Sequence, residues 1–471
     1  MPNQQYGSVH GNMGITLPSI ALSLSQLPRA KTVTVAANSF CKDHHWPSPV
    51  VRVAPNELSF NTSGSWRDIY DKRKGHMPFI KSDFYDGGNF AAEAHSIVSE
   101  RDPEKHAQMR RYLRDAFSDR SLREQESFVN ESIDEFVRKI GEAGSSSGTD
   151  IVMWFNLLTF DIIGNLAFGQ SFGGVSSGTE HFWVSIVVKS LRMGALADCF
   201  KRFPWLGAVF QAMFPKLLNK LIEDTRKHEA YTMSLVKKRT AQNSDRKDFL
   251  TKILEAREAE DVSDLQIAAH SSDFVIAGSE TTATALSCIT YYLQTNPDIL
   301  KRLQQELRKK FQSYHEIDGA STSSLPYLNA VILEGMRMYP PLPFPLPRVV
   351  PEGGDIVDGH FIPGGTIVST NPFAASMSPD NFKDPWTFSP ERWLNSAGDD
   401  NLEASQPFSL GTRGCLGKSL GWLEMRTTLA KMHFKYDMEL VDPLLDWHAK
   451  SEMHTLWQKP MLNVVVKPAC T

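Results

Sequence analysis

Phe408-Ser409-Leu410-Gly411-Thr412-Arg413-Gly414-Cys415-Leu416-Gly417 sets three glycines and one cysteine directly before an amphipathic run, Leu420 to Leu429. Glycines at such density let backbone approach another group closely. A thiolate near a helix N-terminus is favoured by unpaired amides and the helix dipole, which suits an anionic sulfur ligand to iron. The same stretch also reads as a buried structural cysteine in a tight turn, the commoner fate of a free thiol. The other cysteines, Cys41, Cys199, Cys288 and Cys470, are scattered with no Cys-x-x-Cys, so neither a disulfide framework nor a zinc ribbon fits. A reducing compartment is expected.

Around this segment the chain reads as helical. Ser263 followed by Gln266 forms a capping box opening a long apolar-rich run that ends before Asn296-Pro297. Asn296 as cap and Pro297 in the first turn then start another helix, with Ile299, Leu300, Leu303 and Leu307 on one face. The Pro-rich stretch Pro340 to Pro347 breaks the helix holding Leu333 to Met338. Strand-like pieces are few: Val50 to Val53, Pro347 to Val350, Thr366 to Thr370 and Leu462 to Val466. The charged stretch from Glu223 to Asp261 reads as solvated helical surface and loop. The fold class is therefore mainly α with small β-sheets, without the strand-helix alternation of a doubly wound fold.

Composition narrows function. Hydrophobic residues at 41% and charged ones at 22% argue for a globular protein and against disorder. A net charge of -4 with no long basic block argues against a nucleic-acid partner. Residues 1–44 are low in charge and poorly periodic. Their apolar stretch, Ile15 to Leu27, carries Pro18 and several serines and is too short to span a bilayer, so no transmembrane anchor or signal peptide is expected there.

The cysteine segment has the full Phe-x-x-Gly-x-Arg-x-Cys-x-Gly spacing, and upstream stand Ala277-Gly278-Ser279-Glu280-Thr281-Thr282, Glu334-Gly335-Met336-Arg337, Pro390-Glu391-Arg392-Trp393 and His106-x-x-x-Arg110. In these motifs and their order the chain resembles the cytochrome P450 family of haem-thiolate enzymes. Arg52 to Leu58 and Trp66 to Tyr70 are most similar to the fungal microsomal branch that serves secondary metabolism. The resemblance implies an α-rich triangular prism and a single catalytic domain over residues 45–471.

It also implies roles. Cys415 is the axial ligand to the iron of haem b, in a loop shaped by Phe408, Gly411 and Gly417. Arg110, Arg413, Arg348 and His106 resemble the family's haem propionate contacts. Glu334, Arg337 and Arg392 resemble its structural triad, although Glu334 and Arg337 taken singly are an i, i+3 pair of the kind usually exposed. Gly278 and the threonines stand mid-helix, where such residues are poor choices. By resemblance Gly278 makes room for dioxygen, and Thr281 with Glu280 relays protons; small residues permitting close helix packing are the alternative. Ala374-Ala375-Ser376 departs from the family's usual His-Arg pair. Phe79, Phe274, Ala277, Phe344, Leu346 and Leu456 are the positions expected around a pocket.

The implied activity is a monooxygenase that hydroxylates or epoxidises an apolar small molecule with dioxygen. Electrons would come from a separate NADPH-dependent cytochrome reductase, docking on the side of Arg111, Arg114 and Lys418. A monomer is expected, at the cytosolic face of the endoplasmic reticulum membrane by resemblance, with peripheral or soluble placement as the alternative. Two rival readings remain: a haem-thiolate isomerase or dehydratase, which would tend to lose Thr281, and a haem carrier or sensor without turnover.

Overall fold

The structure, a computed structural model, describes residues 49–88, 94–144, 147–183, 186, 204–241, 246–394 and 398–469. The N-terminal segment 1–44, with Cys41, lies outside these, as do Cys199 and Cys470. Among the described residues the helices of at least eight residues are α1 (Ser63–Tyr70), α2 (Pro103–Arg114), α3 (Asp119–Ala143), α4 (Ile151–Phe168), α5 (Pro204–Met213), α6 (Pro215–Thr240), α7 (Phe249–Glu260), α8 (Asp264–Thr295), α9 (Pro297–Lys310), α10 (Pro326–Met338) and α11 (Lys418–Lys435). Several start on side-chain caps, each satisfying an orphan amide: Thr62 for α1, Asp102 for α2, Ser118 for α3, Asp150 for α4, Asp248 for α7 and Ser263 for α8.

Helix α4 is buried on nearly every face and packs along α8. It is long and apolar enough to cross a membrane, but its surface is spent on the core. At Gly278 of α8 an added Cβ would meet Ile163 Cδ1 at 2.9 Å, so the missing side chain lets the two helices approach. Gly335 does the same between α8 and α10, where a Cβ would fall 2.2 Å from Ile289 Cγ1.

Among the described residues the strands form four small sheets. The largest joins β1 (Val50–Ala54), β2 (Glu57–Phe60), β3 (Ile80–Lys81), β5 (Arg348–Val349) and β8 (Ile367–Thr370) in the order β1-β2-β8-β5-β3. Only the β2–β8 pairing, Glu57 opposite Ile367 through Phe60 opposite Thr370, is parallel. Strands β4 (Thr149–Asp150), β9 (Tyr436–Leu440) and β12 (Asn463–Pro468) form a second sheet, ordered β4-β12-β9. The hairpins are β6 (Asp355–Val357) with β7 (His360–Ile362), and β10 (Glu452–Met453) with β11 (Trp457–Gln458). Phe79, expected at a pocket, packs instead in the core of the first sheet with Trp66, Ile69, Val350 and Val368.

Three local expectations need correction. Ser263 accepts the Gln266 amide at 3.1 Å, but the Gln266 side chain donates to the His95 carbonyl, so only half the capping box forms. Asn296 makes no side-chain cap for α9; its Nδ2 donates back to Tyr292 O at 2.8 Å. Within the charged stretch 223–261, Arg239 and Asp248 are buried, joined at 3.1 Å, because Asp248 serves both as the α7 cap and as the acceptor for that guanidinium.

Glu334 and Arg337 on α10 are fully buried. Glu334 Oε1 accepts from Arg337 Nη2 at 2.8 Å, Arg392 Nε at 3.0 Å and the Ser389 amide at 2.9 Å. Its Oε2 accepts from Arg337 Nε at 2.8 Å and Trp393 Nε1 at 2.9 Å. Arg337 Nη1 continues to the carbonyls of Ser376 and Pro385, both at 2.8 Å. Removing Arg337 would leave this carboxylate short of its principal donor inside the protein. Arg337→Ala should therefore lower folded yield and thermal midpoint, at a cost of about 3–5 kcal/mol; purification yield and a melting curve read the effect, and a wild-type midpoint would count against it.

Candidate active site

The cysteine loop is closed by its own backbone. The Cys415 amide donates to Phe408 O at 2.8 Å and the Gly414 amide to Gly411 O at 3.1 Å. Gly411 has φ +68°, and a Cβ there would lie 2.2 Å from Tyr70 O at the end of α1, so both conformation and space require glycine. Ser409 also takes a positive φ of 56°, costly for a residue with a side chain, and its buried Oγ finds no hydrogen bond among the described residues. Phe408 packs near Trp422, and nothing lies within 4 Å of a Cβ built on Gly417. Cys415 itself is open to solvent-sized contact. Burial nonetheless pushes its thiol pKa up, against the Gly417 amide, Arg110 and Lys418. The thiol is thus accessible while its surroundings disfavour the thiolate.

Cations gather beside this loop. Arg110 Nη1 donates to Gly414 O at 2.8 Å, and Arg413 donates to the carbonyls of Glu100 and Arg101 at 2.8 Å. Arg348 Nη1 donates to Tyr85 Oη at 2.9 Å and Pro347 O at 3.1 Å. Lys81, which sequence reasoning missed, is buried and donates to the carbonyls of Ile97 and Val98. All these acceptors are neutral, so positive charge accumulates, offset near Arg413 by Glu100 and Asp102. Burial, then Arg413 and Arg348, holds Lys81 down to about 6. Burial, then Arg413 and Lys81, holds His106 down to about 3, which keeps its imidazole neutral.

Helix α8, which packs on α11 beyond the cysteine loop, carries the other expected site residues. Along it Ala277 is exposed and Gly278 and Thr281 are half-buried, whereas Ser279, Glu280 and Thr282 are buried. This open stripe interrupts an otherwise buried helix. Thr281 Oγ1 donates to the Ala277 carbonyl at 2.6 Å. Thr282, one residue round, comes within reach of α11: a Cβ on Gly421 would stand 3.9 Å from its hydroxyl oxygen. Its hydroxyl faces Glu424. Glu280 does not point along the open stripe; its carboxylate is paired with Lys459 Nζ at 2.5 Å. Of the other pocket positions, Phe344 stacks on Phe84 at 4.7 Å, Phe274 packs edge-on to Phe117, and Leu346 and Leu456 are half-buried. Arg111, Arg114 and Lys418 are exposed.

Glu424 is the second residue missed. Its signal was present, since it repeats the helical spacing of the buried Leu420, Thr427 and Thr428 and so marks a carboxyl on an inward face. Lys459 left no such signal, lying far along the chain from Glu280 after a short hairpin.

Comparison with known proteins gives the class. The cytochrome P450 family model matches residues 79–461. A protein named cytochrome P450 monooxygenase ORF11, from Penicillium roqueforti, is 56% identical over 404 residues, covering 86% of this chain and 84% of its own length. Cytochrome P450 monooxygenase BipB from Cochliobolus sativus is 44% identical over 454 residues, covering 94% and 89%. Cytochrome P450 monooxygenase BOT4 from Botryotinia fuckeliana is 39% identical over 418 residues, covering 88% and 78%. The chain belongs to the cytochrome P450 family, a family of haem-thiolate iron enzymes. The residues present fit that group: an accessible thiol in a closed loop, and the guanidiniums of Arg110, Arg348 and Arg413, buried or half-buried with neutral acceptors, suited to the two carboxylates of a haem.

Glu424 offers a test by pH. Its Oε2 is buried with no hydrogen bond among the described residues, and burial raises the carboxyl to about 8, with Thr282 opposing. A raised folded-state pKa makes the protonated fold fully stable below the ordinary carboxyl range, and that stability is lost as pH rises toward 8. Glu424→Gln, which keeps shape without the ionisation, should show a smaller fall in melting midpoint between pH 5 and 8 than wild type; parallel curves would contradict the assignment.

Proposed function

We propose that this chain is a monooxygenase that hydroxylates or epoxidises an apolar small molecule in fungal secondary metabolism, using dioxygen and electrons from a separate NADPH-dependent reductase. Residues 45–471 would form its one catalytic domain. The observation that carries the oxygenase reading over an isomerase or a carrier is the Thr281 hydroxyl, half-buried on the open stripe of α8. An isomerase or carrier has no need of a proton donor there.

In this reading Cys415 Sγ would ligate the iron, and Arg110, Arg348 and Arg413 would hold the propionates, with neutral His106, and Lys81 once protonated, as further donors. A bound haem supplies the oxygen-activating chemistry. The chain supplies position and protons. Thr281 Oγ1, engaged with the Ala277 carbonyl, holds a proton on the open stripe of α8 and can pass it on when a second donor reaches that oxygen. Ala277 and the aromatic pair Phe84–Phe344 support an apolar substrate. The exposed Arg111, Arg114 and Lys418 support reductase docking by charge. Placement at the endoplasmic reticulum membrane is supported by the exposed apolar side chains Trp205, Val209, Met213, Phe214 and Leu217 on α5 and the start of α6.

Two substitutions test the reading. Cys415→His should keep some haem bound while abolishing the red-shifted band of the reduced carbon-monoxide spectrum, because imidazole lacks the sulfur's electron donation; a band in its original place would remove the ligand assignment. Thr281→Ala should still bind substrate and accept electrons, but release peroxide and lose product relative to NADPH consumed, within the range of about 10²- to 10⁴-fold attributed to positioned proton transfer. Thr282→Ala is the control: its hydroxyl lies about 100° round the helix and faces Glu424, so coupling should change less. Equal coupling in wild type and Thr281→Ala would favour the isomerase.

A further inference from the structure

Lys459 reaches α8 from a rigid support. It follows β11, whose Trp457 donates from Nε1 to Pro340 O at 2.8 Å and stacks on Tyr339 at 4.1 Å. The lysine side chain is 4% exposed and the Glu280 side chain 11%. Besides its bond to Glu280 Oε2, Lys459 Nζ donates to Thr284 Oγ1 at 2.9 Å. Glu280 and Thr284 stand one turn apart, so the ammonium staples that turn. An ion pair this buried is expensive to desolvate and is held only by good geometry. A plain packing role would be served as well by an apolar side chain of the same volume. The acid so held is the immediate chain neighbour of Thr281.

We infer that Lys459 is a positioning residue for proton supply, fixing the carboxylate of Glu280 and the turn of α8 that carries Thr281 from the C-terminal hairpin. The hairpin thereby becomes part of the catalytic apparatus without touching the reacting atoms. Leu456, three residues earlier, is half-buried on the same hairpin. A change in that loop therefore acts on Glu280 through Lys459.

The inference rests on the monooxygenase reading, and the two fail separately. If wild type shows no NADPH-driven product, the reading fails before Lys459 is at issue. With product established, Lys459→Met should lower product per NADPH by roughly ten- to a hundredfold, the size reached when a reacting group is misplaced, and raise the solvent deuterium isotope effect on product formation. Its reduced carbon-monoxide spectrum should stay thiolate-type. Lys459→Arg, which keeps the charge, should recover a large part of the coupling. Because Lys459→Met leaves a lone buried carboxylate and can cost folding, the double variant Glu280→Gln with Lys459→Met is compared with Glu280→Gln alone. Glu280→Gln coupling below wild type, with the double variant equal to it, places the lysine's effect on Glu280. Wild-type coupling or isotope effect in Lys459→Met, an arginine variant no better than methionine, or a double variant worse than Glu280→Gln would each overturn the inference.

Discussion

One carboxylate, that of Glu334, ties together segments that no regular secondary structure joins. Two guanidiniums, an indole and a backbone amide converge on it, and through Arg337 and Arg392 it reaches the carbonyls of Ser376 and Pro385 and the carboxylate of Asp400. A buried anion is stable only when every lone pair is used, which leaves the chain between Ser376 and Leu394 very few acceptable paths. The cysteine loop follows directly, so its origin is fixed before its own closing bonds form. Trp66 adds a second tether, donating to Ala404 O at 3.0 Å from α1.

Much of this was legible because it is local. The cysteine loop carries its geometry in closely spaced glycines, and Ser263 announces α8 through a cap that forms with the Gln266 amide. The i, i+3 spacing of Glu334 and Arg337 predicted their pairing but not their burial, since periodicity says which residues share a face and not what covers it. Gly278 shows the same limit. Its mid-helix oddity was visible, yet the side chain a Cβ there would meet, Ile163, sits on another helix.

The illegible residues share a physical cause. Lys81 and Lys459 are basic side chains taken inside, and such a group is tolerated there only through partners elsewhere in the chain. Lys81 is satisfied by two carbonyls 16 and 17 residues on, and Lys459 by groups on α8 179 and 175 residues earlier. Arg239 and Asp248 were misread for a related reason. They are close in the chain, but one carboxylate does two jobs, and a run of charges hides that. The site as a whole is electrostatically lopsided. Cations crowd one side of the cysteine, while burial, outweighing helix-terminus stabilisation, holds the sulfur toward its neutral form, so ligation of a metal would draw a proton from it.

The parallel pairing of β2 with β8 sets a timetable for biosynthesis. Ser65 Oγ and Thr370 Oγ1, which meet at 2.8 Å beside that pairing, are 305 residues apart. At about 5–20 residues per second of translation, the ribosome takes roughly 15 to 60 s to make the intervening chain. Throughout that interval β2 lacks its central neighbour, and until α8 emerges the face of α4 that packs on it stays uncovered, although α3 already covers another face. The β2–β8 pairing is thus one of long sequence separation, and the face of α4 that meets α8 is made early and covered late. Nascent chains would depend on chaperone protection over that window, and slower translation would lengthen their exposure.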